Sequence, residues 1–165
     1  MSRRAEKLRY SHAVFMGSLA IFMLCISSHA QTNDVTPGNA PSSSILDASR
    51  LFALGMIETG NDDRGVGRAG EISRYQIHPV VWKAYTTSRD YQNPEVSLEV
   101  ARQHWAALSN YFKEKTARKP SDFDMYVLWN TRYGYYAGKG FDLQRLPGFV
   151  RDRAQRFVNL VNRRS

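Results

Sequence analysis

The segment from residue 51 to 82 constrains this chain most, because it joins an apolar helical pattern to a carboxylate and a glycine-rich loop. Leu51, Leu54 and Gly55 lie seven, four and three positions before Glu58, so all four share one helical face. Glu58 is therefore predicted near the end of a helix, at the edge of an apolar stripe. Burial there raises the pKa of a carboxyl group, and the negative end of the helix dipole acts in the same direction.

A carboxyl group that keeps its proton near neutral pH is the general acid that glycosidic bond cleavage requires. The alternative is that Glu58 is an ordinary helix-end glutamate facing solvent. Gly60 is predicted to stop the helix as a left-handed cap. Residues 61–70 (NDDRGVGRAG) then form either a solvated surface turn or a flexible wall of a sugar cleft. They do not match a phosphate-binding loop, because no Gly-Lys-[Ser/Thr] follows.

The segment from Glu71 to Ile77 is predicted to be short and extended. Glu71 is a second carboxylate that could accept hydrogen bonds from loop amides or face a substrate. Gln76 carries both donor and acceptor atoms, which suit the amide and hydroxyl groups of amino sugars. Tyr75 could stack on a sugar ring, or it could alternate into the core as in any short strand.

Glu58-Thr59-Gly60, followed by the glycine-rich loop and then by Tyr75-Gln76-Ile77, resembles the lytic transglycosylase and goose-type lysozyme superfamily. This resemblance implies that Glu58 is the catalytic acid. It also implies that Thr59, Glu71, Tyr75 and Gln76 contribute to the sugar cleft. Ser73 to Gln76 stands where the family usually has Gly-Leu-Met-Gln.

A second part of the resemblance lies later in the chain, where the family has an Ala-Tyr-Asn-x-Gly motif on a helix. The nearest match is Leu128-Trp129-Asn130, with Trp129 at the tyrosine position and Gly134 farther on. Asn130 either approaches the cleft, as the resemblance implies, or only caps its helix. Tyr135 follows in a run of aromatic residues and glycines, a composition that suits sugar stacking but is also common in packed loops.

Residues 1–30 have the pattern of a secretory signal peptide, with a basic start, an apolar run from Ala13 to Ile26 and a cleavage site after Ala30. The alternative is an uncleaved membrane anchor, although the run is shorter than the ~20 apolar residues that a span needs. Residues 31–44 are polar and contain two prolines, which predicts a flexible spacer. The expected location is therefore outside the cell or in the periplasm, with no stable membrane span after cleavage.

The predicted mature protein has about 135 residues and no cysteine. The signal segment carries four basic residues and one acidic residue, so its removal lowers the net charge from +8 to +5. That charge favours nucleic acid, anionic lipid or an anionic cell-wall polymer, and a secretion signal argues against nucleic acid. The four histidines show no metal-ligand spacing. Asp62 and Asp63 lack the ligand pattern of a calcium loop, so we expect no metal and no cofactor.

The remaining pattern predicts helices. Helix starts are expected at Ser44, with Asp47 completing a short capping box, at Pro79, at Asn93-Pro94 and at Ser121, with Asp124 completing its box. Apolar stripes are expected at Val80, Val81, Trp82 and Tyr85; at Ala101, Trp105, Leu108 and Phe112; and at Val150, Ala154, Phe157, Val158 and Val161. The arginines of the last helix, from Arg151 to Arg164, are expected to form a solvated basic face.

Together these observations predict a mainly α, lysozyme-like transglycosylase domain of about five to six helices over residues 45–165. The expected partner is the glycan strand of peptidoglycan, cleaved by a monomer between N-acetylmuramic acid and N-acetylglucosamine. The resemblance implies a non-hydrolytic route with a 1,6-anhydro-muramyl product. One alternative is a hydrolytic muramidase or chitinase-like glycosidase that uses Asp62, Asp63 or Glu71 as a second carboxylate. The other is a wall-binding protein without catalysis.

Overall fold

The computed structural model describes residues 45–132 and 134–164, and this part of the chain is mainly helical. The predicted signal peptide (1–30) and spacer (31–44) lie outside the described residues. Within the described residues, no helix is long and apolar enough to cross a membrane. The helices are α1 (Ala48–Glu58), α2 (Pro79–Lys83), α3 (Pro94–Thr116), α4 (Asp122–Asn130), α5 (Tyr135–Gly138) and α6 (Gly148–Asn162), with a 3₁₀ turn at Leu143–Arg145.

Helix α1 begins later than the sequence predicted. Asp47 is the N-cap, because its carboxylate accepts a hydrogen bond from the Arg50 backbone nitrogen at 2.9 Å. The predicted start at Ser44 is therefore wrong, and Ser44 itself lies outside the described residues. The end of the helix is as predicted. Gly60 has a φ of +72°, and its nitrogen donates to the Met56 carbonyl at 3.2 Å, which is a left-handed cap.

The predicted starts of α3 and α4 are confirmed. The Asn93 side chain accepts hydrogen bonds from the backbone nitrogens of Glu95 and Val96, and Pro94 occupies the first helical position. At α4, Ser121 and Asp124 form a reciprocal capping box. The predicted apolar stripe of α3 is buried throughout.

Helix α2 begins at Pro79 as predicted, but its packing differs from the expected stripe. Trp82 is fully buried, whereas Val80 is 71% exposed. The reason is that α2 is a little over one turn long and can turn only one side inward. The segment before it is not a strand. A single antiparallel bridge joins Ile72 to Ile77 around a tight turn.

Helix α4 forms the centre of the fold. The five consecutive residues from Asp124 to Leu128 are all buried, which requires neighbours on every side of the helix. Helices α3, α5 and α6 pack against it, and α1 packs against α6. Arg50 of α1, itself buried, donates to Asp122 at the start of α4 at 2.6 Å. This ion pair fixes the position of α1, and therefore of Glu58, relative to α4.

Candidate active site

A cavity of about 520 Å³ lies at the end of α1. Its wall also includes parts of the glycine-rich loop, the turn before α2, α2 itself, the middle of α3, the end of α4 with the two residues that follow it, and one residue of α6. Its apolar part is Ile77, Val81, Leu108 and Leu128. Its polar and charged part is Glu58, Arg68, Glu71, Gln76, His78, His104, Trp129, Asn130, Thr131, Arg132 and Arg153. The volume falls in the range of ligand-binding pockets.

Glu58 is the most enclosed carboxyl group of this wall. Its side chain is 4% exposed. Tyr126 of α4 donates its hydroxyl proton to Oε1 at 2.7 Å, and Arg153 of α6 donates from Nη2 to Oε2 at 2.9 Å. One oxygen is thus held by each of two neighbouring helices, so the orientation of the carboxyl group is fixed by the packing of α4 and α6 against α1.

The pKa of Glu58 is raised above the ordinary value of 4.5, and burial is the main cause. The Tyr126 hydroxyl and the Arg153 guanidinium act in the opposite direction, because both favour the carboxylate form. The negative charge of Glu71 raises the pKa further. Burial outweighs the two stabilising contacts, which confirms the raised pKa predicted from the apolar stripe.

Glu71 and Gln76 face the cavity from the glycine-rich loop and the turn that follows it. Glu71 accepts a hydrogen bond from the Ala69 backbone nitrogen at 3.0 Å. Gln76 donates from its amide nitrogen to the carbonyls of Gly65 and Ser73, each at 3.2 Å. The amide oxygen of Gln76 is therefore the atom with which it could meet a ligand.

Gly67 explains how these two side chains come so close to the loop. A β-carbon at this position would collide with the carboxylate of Glu71 and with the amide oxygen of Gln76. Its backbone nitrogen also donates to the Glu71 carbonyl at 2.8 Å. The absence of a side chain at residue 67 is thus what lets the loop close around Glu71.

Trp129 connects α4 to the turn that carries Gln76. Its indole nitrogen donates to the Tyr75 backbone carbonyl at 3.2 Å. The Tyr75 side chain is 5% exposed and belongs to the core, so it is not among the residues lining the cavity. The structure therefore favours packing of Tyr75 in the core over stacking on a sugar ring. Trp129 and Asn130 both line the cavity.

His104 of α3 adds an uncharged polar group to the wall. Its Nδ1 lies 3.1 Å from the Tyr85 hydroxyl, and its ring lies 5.2 Å from that of Trp129. Burial lowers the pKa of His104 from 6.5 to about 4. The imidazole is therefore neutral near pH 7 and can act as a donor or an acceptor.

Besides Tyr75, two further residues predicted to bind substrate, Thr59 and Tyr135, do not line the cavity. Thr59 donates from its hydroxyl to the Arg74 carbonyl at 2.9 Å and accepts from the Asp62 nitrogen at 3.1 Å, so it joins the end of α1 to the loop. Tyr135 packs beneath the Lys139 ammonium, which lies 5.7 Å from its ring centre.

The carboxylates weighed as partners of Glu58 are separated by the fold. Glu71 lines the cavity, whereas Asp62 and Asp63 do not. Asp63 pairs with Arg74 instead. A reaction that needs a second carboxylate from these candidates would therefore depend on Glu71. Over the ranges 45–132 and 134–164, no group of three or more His, Cys, Asp or Glu side chains is arranged to hold a metal ion.

The two residues that hold the Glu58 carboxyl group were missed by sequence reasoning. Tyr126 was not singled out at all, and Arg153 was assigned to a solvated basic face. Tyr126 lies about one helical turn before Trp129, so a hydroxyl on this face of α4 could have been sought there. Arg153 offers no comparable local signal.

Comparison of the chain with protein-family models, with curated proteins and with solved structures found no match. The chemistry of the cavity must therefore be read from its own residues. These combine one buried carboxyl group of raised pKa, a second carboxylate held by the loop, amide and imidazole groups, and three arginines.

Proposed function

We propose that this protein cleaves the glycan strands of peptidoglycan, with Glu58 as the general acid. The observation that carries the proposal is the Glu58 carboxyl group, buried and with a raised pKa, at the wall of a cavity large enough for part of a sugar chain. A raised pKa lets such a group keep its proton to higher pH than an ordinary carboxyl group, and that proton can be given to a glycosidic oxygen as the bond breaks. Gln76, Asn130 and His104 offer the amide and imidazole atoms that acetamido and hydroxyl groups require.

The proposed reaction is non-hydrolytic, as the resemblance to lytic transglycosylases implies. Glu58 gives its proton to the oxygen that leaves with N-acetylglucosamine, and the bond from that oxygen to C1 of the muramyl residue breaks. The Glu58 carboxylate then takes the proton of the muramyl 6-hydroxyl, whose oxygen bonds to C1. The product is a 1,6-anhydro ring, Glu58 ends protonated as it began, and no water is consumed. A lysozyme-like fold and a location outside the cell or in the periplasm belong to the same proposal.

A hydrolase is the second candidate, and Glu71 is the observation that favours it. A hydrolytic glycosidase normally pairs its acid with a second carboxylate that activates water or attacks the sugar. Glu71 lies on the wall of the same cavity and is close enough for its charge to raise the pKa of Glu58. Its hydrogen bond from the Ala69 nitrogen also fits a purely structural role in the loop.

The test is release of soluble fragments from purified peptidoglycan by the wild type, Glu58→Gln and Glu71→Gln. We expect Glu58→Gln to lose at least about a hundredfold in rate, the usual scale of general acid catalysis. Glu71→Gln should keep most of its activity if the route is non-hydrolytic, and lose it if Glu71 activates water. Retention of the wild type on the insoluble wall without release would contradict both enzymatic readings and favour a wall-binding protein.

A further inference from the structure

Arg153 stands in an unusual relation to a general acid. It donates from Nη2 to Glu58 Oε2 at 2.9 Å, and a guanidinium at that distance favours the carboxylate over the carboxylic acid. A group that must donate a proton is thus paired with a positive charge that opposes its protonation, as the Tyr126 hydroxyl also does. Departure of Arg153 from Glu58 when substrate enters would remove this opposition and favour the protonated acid.

The geometry allows Arg153 to leave. Its side chain is 40% exposed, whereas that of Glu58 is 4% exposed. Apart from Glu58, it contacts the Tyr126 side chain and, at 3.4 Å, the Ile57 carbonyl. The arginine side chain lies on the cavity wall and its exposed part leaves it room to change rotamer, while Glu58 is also held by the Tyr126 hydroxyl.

The cavity also favours an anionic ligand. Arg68 and Arg132 are exposed residues on its wall, so with Arg153 the wall carries three guanidinium groups against two carboxyl groups. Guanidinium groups bind carboxylates with two parallel hydrogen bonds. A glycan whose substituents end in carboxylates would therefore offer Arg153 a partner that a neutral N-acetylglucosamine polymer lacks.

We propose that Arg153 is a positioning residue that holds the Glu58 carboxylate in the empty cavity and transfers to a carboxylate of the entering glycan, whereupon Glu58 takes up a proton from solvent. The inference rests on the proposed function, and it adds that the substrate itself prepares the acid. The other groups acting on Glu58 are Tyr126 from α4 and Glu71 from the loop. Tyr126 also contacts Arg153, but its own hydrogen bond to Glu58 does not depend on that contact, so the exchange removes the charge of Arg153 from Glu58 and leaves the hydroxyl in place.

The substrate preference that results is specific. Strands bearing free carboxylates on their peptide substituents should be cleaved faster than strands from which the peptides have been removed. Arg153→Gln should reduce this preference, because Glu58 no longer needs to be released. Arg153→Lys should retain part of it, because the charge remains but the two-pronged geometry is lost. Arg156→Gln is the matched control, because Arg156 is exposed on the same helix and does not line the cavity.

A titration of Glu58 tests the exchange without requiring turnover. The carboxyl carbon of Glu58 is followed by NMR against pH and assigned by its absence in Glu58→Gln. We expect the midpoint in Arg153→Gln to lie about one pH unit above that of the wild type, the lower end of the usual effect of an opposite charge at this distance. Arg156→Gln should titrate like the wild type.

The same titration is repeated with a disaccharide carrying a muramyl peptide and with a neutral N-acetylglucosamine trimer. In the wild type, the anionic fragment should raise the midpoint more than the neutral one, and in Arg153→Gln the two should act alike. A difference that persists in Arg153→Gln would mean direct repulsion by the ligand and would overturn the inference. Equal midpoints with the two fragments in the wild type, or an unchanged midpoint in ligand-free Arg153→Gln, would overturn it as well. If these titrations behave as expected but peptidoglycan is never cleaved, the proposed function fails and the assignment of Arg153 stands.

Discussion

The Tyr126 hydroxyl of α4 donates a hydrogen bond to Glu58 Oε1 of α1 across 2.7 Å, although the two residues are 68 positions apart in sequence. The contact stabilises the carboxylate and orients it at the same time. The Tyr126 ring itself is held by stacking on Phe157 at 5.1 Å. The hydroxyl can therefore be removed without removing the packing of the ring.

Tyr126→Phe should raise the pKa of Glu58, because the carboxylate loses a hydrogen bond that favours it. The alkaline limb of the pH–rate profile should then move to higher pH. The rate at the optimum should fall about tenfold through poorer orientation of Glu58, on the scale of one lost hydrogen bond. The measurement is glycan cleavage against pH.

Tyr136→Phe is the control for this prediction. Tyr136 is another buried tyrosine, and its hydroxyl donates to Asp124, a member of the capping box of α4. Its loss should lower the free energy of unfolding and leave the position of the alkaline limb unchanged. The same shift of that limb in both variants would contradict a specific role for Tyr126.

Glu58→Gln should make the protein more stable at pH 8. A carboxyl group whose pKa is raised on folding contributes stability below its unfolded pKa of 4.5, and this contribution is lost as pH rises through the folded value. At pH 8 the buried charge of Glu58 is therefore a cost, which the neutral amide removes. Urea unfolding at pH 8 and pH 4 measures the difference, which should shrink at pH 4. The exposed Glu114→Gln serves as the control, and equal gains in both variants would refute the prediction.

His104 should make the fold less stable in acid. The unfolded chain takes up a proton on this residue near pH 6.5, but the folded chain does so only near pH 4. The contribution of His104 to the free energy of unfolding is thus fully present above pH 6.5. It is lost as pH drops toward 4, by about 3 kcal/mol in total. His104→Gln should flatten this part of the curve of unfolding free energy against pH. A variant curve parallel to that of the wild type between pH 6.5 and 4 would be inconsistent with this account.

Gly67→Ala should impair the site more than the fold. The added methyl group would displace the ends of the Glu71 and Gln76 side chains, which are flexible and can move outward. We expect a change in unfolding free energy below about 1 kcal/mol, together with weaker binding of peptidoglycan fragments. Gly138→Ala is the control, because a β-carbon there meets nothing within 4 Å. Equal fragment affinity in the two variants would show that Glu71 and Gln76 do not contribute to binding.

The local parts of this fold could be predicted because their chemistry is local. The cap at Asn93, the capping box at Ser121 and the left-handed Gly60 each depend on residues within four positions, and all three were predicted. The start of α1 was missed because Asp47 competes with Ser44 as a cap. Asp47 is the cap in the structure, where its carboxylate accepts from the Arg50 backbone nitrogen and also pairs with the Arg50 guanidinium. The predictions for residues 1–44 are not tested by the described part of the chain.

The site was predictable where burial follows from helical periodicity, as for Glu58, and not where it follows from packing between distant helices. Arg153 is 95 positions from Glu58, and from sequence it looked like its solvated neighbours. Nothing in the local pattern of α4 singled out Tyr126. Tyr75 shows the converse, since its ring is packed in the core and its backbone carbonyl accepts the bond from Trp129. Such roles depend on how α4 and α6 meet α1, which no local pattern encodes.

The most direct test is mass spectrometry of the fragments released from purified peptidoglycan by residues 31–165, with Glu58→Gln and Glu114→Gln compared in parallel. The account predicts 1,6-anhydro-muramyl ends from the wild type and from Glu114→Gln, and almost none from Glu58→Gln. Ordinary reducing ends would replace the non-hydrolytic route with hydrolysis and direct attention to Glu71. Cleavage by Glu58→Gln at the wild-type rate would contradict the central claim that Glu58 is the acid.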